Sequence, residues 1–355
     1  MMSDTAIMQA EDARIFLNEI FTTLNLPAAD AQAAADDLVL SNLWGVDSHG
    51  ILRLPIYVER ILNGAVNVNP QIKTIGGRGG FETMDGDSGL GYIIGHRAMD
   101  RAITLAGEHG ISAVTVRNSN HFGAAGLFVK QATDTGMIAL SMTNVGPNLV
   151  VPGGSKPITG NNPLAFGVPT DLDFPLILDI SMSSVAGGKL LLAKEKGEKI
   201  PFGWATNKQG KPTDDPIEGF AGFLLPLGGH KGFGLSLMVD ILCGVLSGGA
   251  FQFGLNSMYA KPEDPSNTGH LMLVIDPGAF LGTEAFLERM GAFCANIKGS
   301  PMWDDAARML IPGELEYEMM QRRLKTGLPL PRSLLKDLTV IADTLNCTMP
   351  SVEYA

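Results

Sequence analysis

Apolar residues recur along this chain with two periods, and the periods mark its elements. Ala13, Phe16, Leu17, Ile20 and Leu24 return every three to four residues before Pro27. Ala31, Ala34, Ala35, Leu38 and Val39 repeat that spacing. Both runs predict helices that bury one stripe. Tyr57 to Leu62, closed by Asn63-Gly64, predicts a third helix, so roughly the first 65 residues read as a small helical unit. Asn67 to Pro70 is a connector. Beyond it, short apolar runs at 72–75, 111–116, 137–142, 164–168, 176–180 and 271–276 predict strands. Helical stretches at 95–106, 127–135 and 185–196 alternate with them, the pattern of an α/β protein.

The second half is less regular. Residues 201–226 are rich in Gly, Pro and polar side chains and read as a long surface excursion. The longest apolar stretch, Gly232 to Ala250, is interrupted by Asp240 and several glycines. It predicts a buried helix rather than a membrane span, and Asp240 then needs a partner. Met302 to Leu310 is mixed and carries Arg308. A helix is expected over 315–326, closed by Gly327, and another on the stripe Leu334, Leu338, Ile341 and Leu345. Helices at both ends are expected to pack on each other or on a second subunit.

Composition narrows the function. The chain has 355 residues, 45% of them hydrophobic and 18% charged, enough apolar residue for a sizeable core. The net charge is −11 and no basic-aromatic stretch occurs, which excludes nucleic acid as the expected partner. Cys243, Cys294 and Cys347 are odd in number and far apart, with no metal-ligand spacing, so no metal is expected and reduced thiols in a cytoplasmic protein are. Met1 to Ala10 lacks the pattern of a secretion signal.

Three stretches carry candidate chemistry. Gly45-Val46-Asp47-Ser48-His49-Gly50-Ile51-Leu52-Arg53 supplies a hydroxyl, an imidazole and a guanidinium. If a helix starts near Ser48 or Gly50, His49 and Arg53 share a face. If it starts at Pro55, they lie in a loop. A proton donor beside a cation that forks a carboxylate suits a substrate with a carbonyl or hydroxyl next to a carboxylate. The second stretch, His121-Phe122-Gly123-Ala124-Ala125, joins a strand to a helix start; its small residues suit either an anion site or a tight turn. The third is Gly228-Gly229-His230-Lys231-Gly232, glycine-rich with a lysine, yet without a P-loop pattern. Asp179, at a strand end, suits ribose hydroxyls or the capping of the following helix. Gly89-Leu90-Gly91-Tyr92-Ile93-Ile94-Gly95 matches GxGxxxG, but no hydrophobic strand is expected over 79–87, so a dinucleotide fingerprint is not assigned.

Five motifs fall in order along the chain: GVDSHGILRLPIYVERILNG, NSNHFGAAG, GWATNKQGKPTDDP, LLPLGGHKGFGLSLMVDIL and IPGELE. Together they resemble the second-type malate/L-lactate dehydrogenase family, over nearly the whole length. The resemblance implies a non-Rossmann α/β nicotinamide-binding fold: a mixed sheet flanked by helices, with a helical domain built from the chain termini. It implies three parts. Residues 1–70 carry the substrate and acid–base groups, 71–232 the cofactor, and 233–355 a helical part facing the N-terminal part and a homodimer partner.

The resemblance also assigns roles. His49 matches the proton donor, with Ser48 beside it, and Arg53 the carboxylate ligand. His121 matches a cofactor contact that in ureidoglycolate dehydrogenase has been given the proton-acceptor role. Phe122, Gly123, Ala124, Ala125, Val145, Asp179, Ile180, Ser181, His230, Lys231, Gly313 and Glu314 match cofactor contacts. Asn161 stands where the family has a substrate-touching threonine. Lys189 matches the dehydrogenases' lysine, where the imino-acid reductase carries aspartate. The implied activity is NAD(P)-dependent interconversion of a small L-2-hydroxy acid and its 2-oxo acid, without nucleic acid or membrane. Asp179 favours NAD, because a carboxylate near the ribose repels a 2′-phosphate. The alternatives are a reductase of a sugar-derived keto acid or a cyclic imino acid, ureidoglycolate dehydrogenase, and a non-catalytic binding protein on the same scaffold.

Overall fold

The computed structural model describes residues 5–304 and 307–354. Asp305 and Ala306, within the mixed 302–310 segment, and Met1 to Asp4 lie outside the described residues.

The two chain ends build one unit. β1 (Thr5–Met8) is followed by α1 (Ala10–Thr23), α2 (Ala28–Leu43) and α3 (Leu54–Leu62). The far end returns as α10 (Glu314–Thr326), β14 (Leu328–Pro331), α11 (Arg332–Leu345) and β15 (Glu353–Tyr354). β1 pairs antiparallel with β14 and β15. The expected stripes are the buried faces: Phe16, Leu17, Ile20, Leu38, Leu334 and Leu338 share one core. So the terminal helices do pack on each other.

The centre is a seven-stranded sheet in the order β2-β3-β4-β13-β5-β8-β9. Its strands are β2 (Lys73–Arg78), β3 (Phe81–Asp85), β4 (Ile111–Ser119), β5 (Ile138–Thr143), β8 (Leu164–Val168), β9 (Leu176–Ile180) and β13 (Thr268–Ile275). Only the β3–β4 pair is parallel, so the sheet is mixed and unlike a doubly wound one. β13 comes from residue 268 yet lies between β4 and β5, so the expected boundary at 232 does not separate sheet from helices. α4 (Gly91–His109) and α5 (Gly126–Thr133) cover one face. Their core includes Met99, Phe128, Val129 and Met272. His96 of α4 locks the two units together: its Nε2 meets Asp37 of α2 at 2.7 Å and its Nδ1 meets Gln131 of α5 at 2.7 Å.

Several expectations need correction. Residues 79–87 do contain a strand, β3, and α4 begins at Gly91, four residues before the expected start. The GxGxxxG glycines nevertheless serve packing. A Cβ on Gly91 would lie 2.3 Å from the His121 carbonyl oxygen, and one on Gly95 would lie 2.4 Å from the Phe128 ring. The His121 loop roofs the start of α4, which leaves no room there for a pyrophosphate. The 201–226 excursion is ordered. It forms a small sheet, β11-β10-β12-β6-β7, from β6 (Leu149–Val150), β7 (Pro157–Thr159), β10 (Ala205–Thr206), β11 (Pro212–Thr213) and β12 (Phe223–Leu224). α6 (Gly187–Lys196) and α7 (Pro216–Ala221) pack beside it. α9 (Thr283–Lys298) had no counterpart among the expected elements; it buries only Cys294 fully.

The apolar Gly232–Ala250 stretch forms α8 (His230–Asp240) and a π-helical turn, Ile241–Val245. It is not buried all round: Leu235, Met238, Ile241, Val245 and Leu246 are 45–59% exposed and recur on one face. Asp240 is buried and accepts from Asn144 Nδ2 at 3.1 Å, the partner its position demanded. Among the described residues no helix is long and apolar enough to cross a membrane.

Candidate active site

The Ser48–His49 segment is a pair of 3-10 turns, Asp47–His49 and Ile51–Arg53, and α3 starts at Leu54 with Pro55 in its first turn. His49 and Arg53 therefore do not share a helix face. They come together because Arg53 folds back, its Nε donating to the Ser48 carbonyl at 2.6 Å. The turns are held from beneath. Asn42 donates to Asp47 Oδ1 at 2.6 Å and accepts from the Ile51 N–H at 2.8 Å. Arg323 of α10 forks the Asp47 carboxylate at 2.6 and 3.0 Å. Gly50 permits this fit, because a Cβ there would lie 2.1 Å from Asn42 Oδ1.

His121 arrives on the loop after β4. Its ring stacks on His49, centroids 5.6 Å apart and planes 18° off parallel. Its Nδ1 accepts from the Gly123 N–H at 3.3 Å and meets the Tyr57 hydroxyl at 2.7 Å. A backbone N–H only donates, so Nδ1 is bare, Tyr57 donates to it, and the proton sits on Nε2. His49 is different. Its Nδ1 meets Ser48 Oγ at 2.8 Å, a hydroxyl that can donate or accept. Burial first, and the Arg53 charge second, push His49 down to about 4. Burial, His49 and Arg53 also hold His121 well below the usual imidazole value. Both rings are neutral at neutral pH.

The structure distributes the remaining candidates unevenly. Phe122 is buried: its ring stacks on His270 at 4.7 Å and lies tilted against Phe128. Gly123 has φ +79, and a Cβ would lie 2.2 Å from the Tyr92 ring. Its glycine is required by the backbone and by Tyr92, the tight-turn reason. Ala124 and Ala125 are buried. Asp179 does not cap α6: its Oδ2 accepts the Gly126 N–H at the start of α5, at 2.8 Å. That carboxyl sits where an anion was expected. Asp179 reaches solvent as a residue, yet the protein crowding its carboxyl pushes it up to about 6, with Gly126 opposing and Glu316 adding.

Ile180 pairs with Leu164 in the sheet. The Pro312 carbonyl accepts the Ile177 N–H at 3.0 Å, which brings the Gly313 turn against β9. Glu314 is buried and committed to its own turn, accepting from Ile311 N at 3.0 Å and Lys298 at 2.6 Å. Val145 donates its N–H to Asn162 at 2.8 Å. Asn161 accepts from Asn148 at 2.9 Å, and its carbonyl accepts from Met182, next to Ser181. Ser181 Oγ meets Ser183 Oγ at 3.0 Å. Lys189, on α6, and His230 and Lys231, at the start of α8, are exposed. Residues invisible as site residues in the sequence are Tyr57, hidden in a helical stripe, and the Asp47–Arg323 clamp, whose partners are far apart in the chain.

A neutral imidazole pair beside a guanidinium with free donors has the chemistry to exchange a proton with an anionic small acid, as a hydroxy-acid oxidoreductase requires. The chain belongs to the malate/L-lactate dehydrogenase family, whose pattern matches residues 8–339. It is 43% identical over 337 residues to the malate dehydrogenase of Pyrococcus horikoshii, covering 92% of each chain. It is 35% identical to the L-sulfolactate dehydrogenase of Methanothermobacter thermautotrophicus, covering 97% of this chain and 98% of that one. The solved structure of malate dehydrogenase from Pyrococcus horikoshii OT3 superposes with a TM-score of 0.90 at 38% identity, over 99% of both chains.

Proposed function

We propose that this protein interconverts a small L-2-hydroxy acid of the malate or lactate type and its 2-oxo acid, using NAD, with His49 as the acid–base group. The observation that carries the assignment is the fixed tautomer of His121. Its Nε2–H can donate a hydrogen bond, but its Nδ1 is engaged by Tyr57 and Gly123, so it has no free lone pair to accept a proton. His49 has one. In oxidation its neutral ring takes the substrate hydroxyl proton; in reduction it returns that proton to the carbonyl oxygen. Arg53 holds the carboxylate. Burial holds His49 down most, and the bound acid cancels the smaller share that comes from the Arg53 charge, which raises the proton affinity of the ring.

A nicotinamide cofactor, when bound, supplies the carbon that exchanges hydride. A recess of about 210 Å³ suits its adenosine end. Trp44, Phe174 and Tyr317 offer flat walls with Ile177 beside them, and Asp134, Asp173 and Glu316 offer carboxylates to ribose hydroxyls. The recess has one lysine, Lys130, already paired with Asp134 at 2.6 Å. That balance favours NAD, since a 2′-phosphate would meet carboxylates without a free cation. NADH and NADPH oxidation against pyruvate, oxaloacetate, sulfopyruvate and a cyclic imine tests the reading. The expected result is turnover with a 2-oxo acid and a KM for NADH at least about tenfold below that for NADPH. Turnover with the imine alone, or NADPH preference, sinks it.

The exposed apolar face of α8 supports a homodimer, because a monomer rarely leaves such a stripe in water. Light scattering should give about twice the 37.7 kDa chain mass; an active species of single mass refutes this. The three cysteines are free, which suits a cytoplasmic setting.

A further inference from the structure

The segment 256–266 is a loop without regular structure, yet it is braced like an element. Its ends are tied: Asn256 N donates to the Ser266 carbonyl at 3.1 Å, and Asn256 Nδ2 to the Pro265 carbonyl at 2.9 Å. Beneath it lies Arg60, only 2% exposed. Its guanidinium donates to Ser266 Oγ at 3.1 Å, to the Lys261 carbonyl at 3.4 Å and to Asn120 Oδ1 at 2.9 Å. Asn120 Oδ1 also accepts the Ser266 N–H at 3.0 Å, and Asn120 immediately precedes His121. A buried cation satisfied by neutral oxygens costs desolvation, and here it fixes the loop to the segment that carries His121.

What the loop presents is Tyr259. Its hydroxyl accepts from Arg53 Nη1, and its ring lies 5.5 Å from the guanidinium carbon. Arg53 has five N–H donors. Nε–H is taken by the Ser48 carbonyl and one Nη1–H by Tyr259. Nη1 keeps one N–H and Nη2 two, enough to fork a carboxylate. Because Tyr259 accepts from Arg53, its own O–H proton is free to donate beside them.

We infer that Tyr259 is a substrate-binding residue: its hydroxyl and the Arg53 guanidinium together hold the carboxylate of the hydroxy or oxo acid. This rests on Arg53 as the carboxylate ligand. The ring also walls one side of the guanidinium, so carboxylate approaches only along the free edge.

The test compares wild type, Tyr259→Phe and Tyr259→Ala by steady-state kinetics and by calorimetric titration with oxamate, a carboxylate that does not turn over. Tyr259→Phe should raise the oxo-acid KM and the oxamate Kd about tenfold or more, the loss of one charge-assisted hydrogen bond. Its kcat should stay within about threefold, and the NADH KM and the pH profile should not move. Tyr259→Ala should lose more, since Arg53 is then unwalled. Unchanged oxamate affinity in both variants, a loss confined to kcat with a shifted pH profile, or no oxamate binding by wild type overturns the inference. Failure of wild type to turn over any 2-oxo acid while oxamate binding still depends on Tyr259 overturns the proposed reaction instead.

Discussion

His49→Ala lowers kcat by about a hundredfold to ten-thousandfold, the usual worth of a positioned acid–base group, and leaves cofactor affinity nearly unchanged. The pH dependence follows from its pKa of about 4 in the free protein. Oxidation needs the bare imidazole, so kcat/KM for the hydroxy acid is flat near neutrality and falls as pH drops through about 4. Reduction needs the imidazolium, so kcat/KM for the oxo acid falls as pH rises above the same value. Both limbs disappear in His49→Ala. His121→Ala, by contrast, removes a donor and a loop anchor, and weakens ligand binding more than it slows the step at saturation. Steady-state kinetics of both variants across pH decide the matter: a small effect at His49 beside a large one in kcat at His121 transfers the acid–base role to His121.

Much of this architecture is legible in the chain because local pattern and burial coincide. The stripes of α1, α2 and α11 face one core, and the β4 and β13 runs are apolar because α4 packs on one face of them and the 241–245 turn on the other. β3 is harder to see. Phe81 to Asp85 reads Phe-Glu-Thr-Met-Asp, and the strand next to the sheet edge keeps only Met84 fully buried. α9 is nearly as quiet, since a helix that buries one residue fully needs no apolar stripe. The two-residue strands of the small sheet have no period to detect.

At the site, the residue types were readable and the geometry was not. His49 and Arg53 stand out, but the helical face that would have joined them does not exist; a backbone carbonyl joins them instead. Gly123 signals a special backbone, and only the position of Tyr92 shows why. Tyr57 and Tyr259 reach their partners across 64 and 206 residues, separations on which a sequence pattern is silent.

Arg53→Ala should be the most damaging change after His49. Truncating one partner of a desolvated charge pair costs about 2–5 kcal/mol, or about thirtyfold to several thousandfold in kcat/KM. Arg53→Lys should recover little, because an ammonium cannot fork the carboxylate while also bonding the Ser48 carbonyl and Tyr259. The variant has a second readout. Arg53 is the charge that adds to burial in holding His49 down, so its loss lets the imidazole pKa rise from about 4. The acid limb for hydroxy-acid oxidation then moves to higher pH, while the NADH KM stays near wild type. A variant with reduced kcat/KM but an unmoved acid limb would show that Arg53 binds substrate without tuning His49. Undiminished kcat/KM in a folded Arg53→Ala protein removes it from the site altogether.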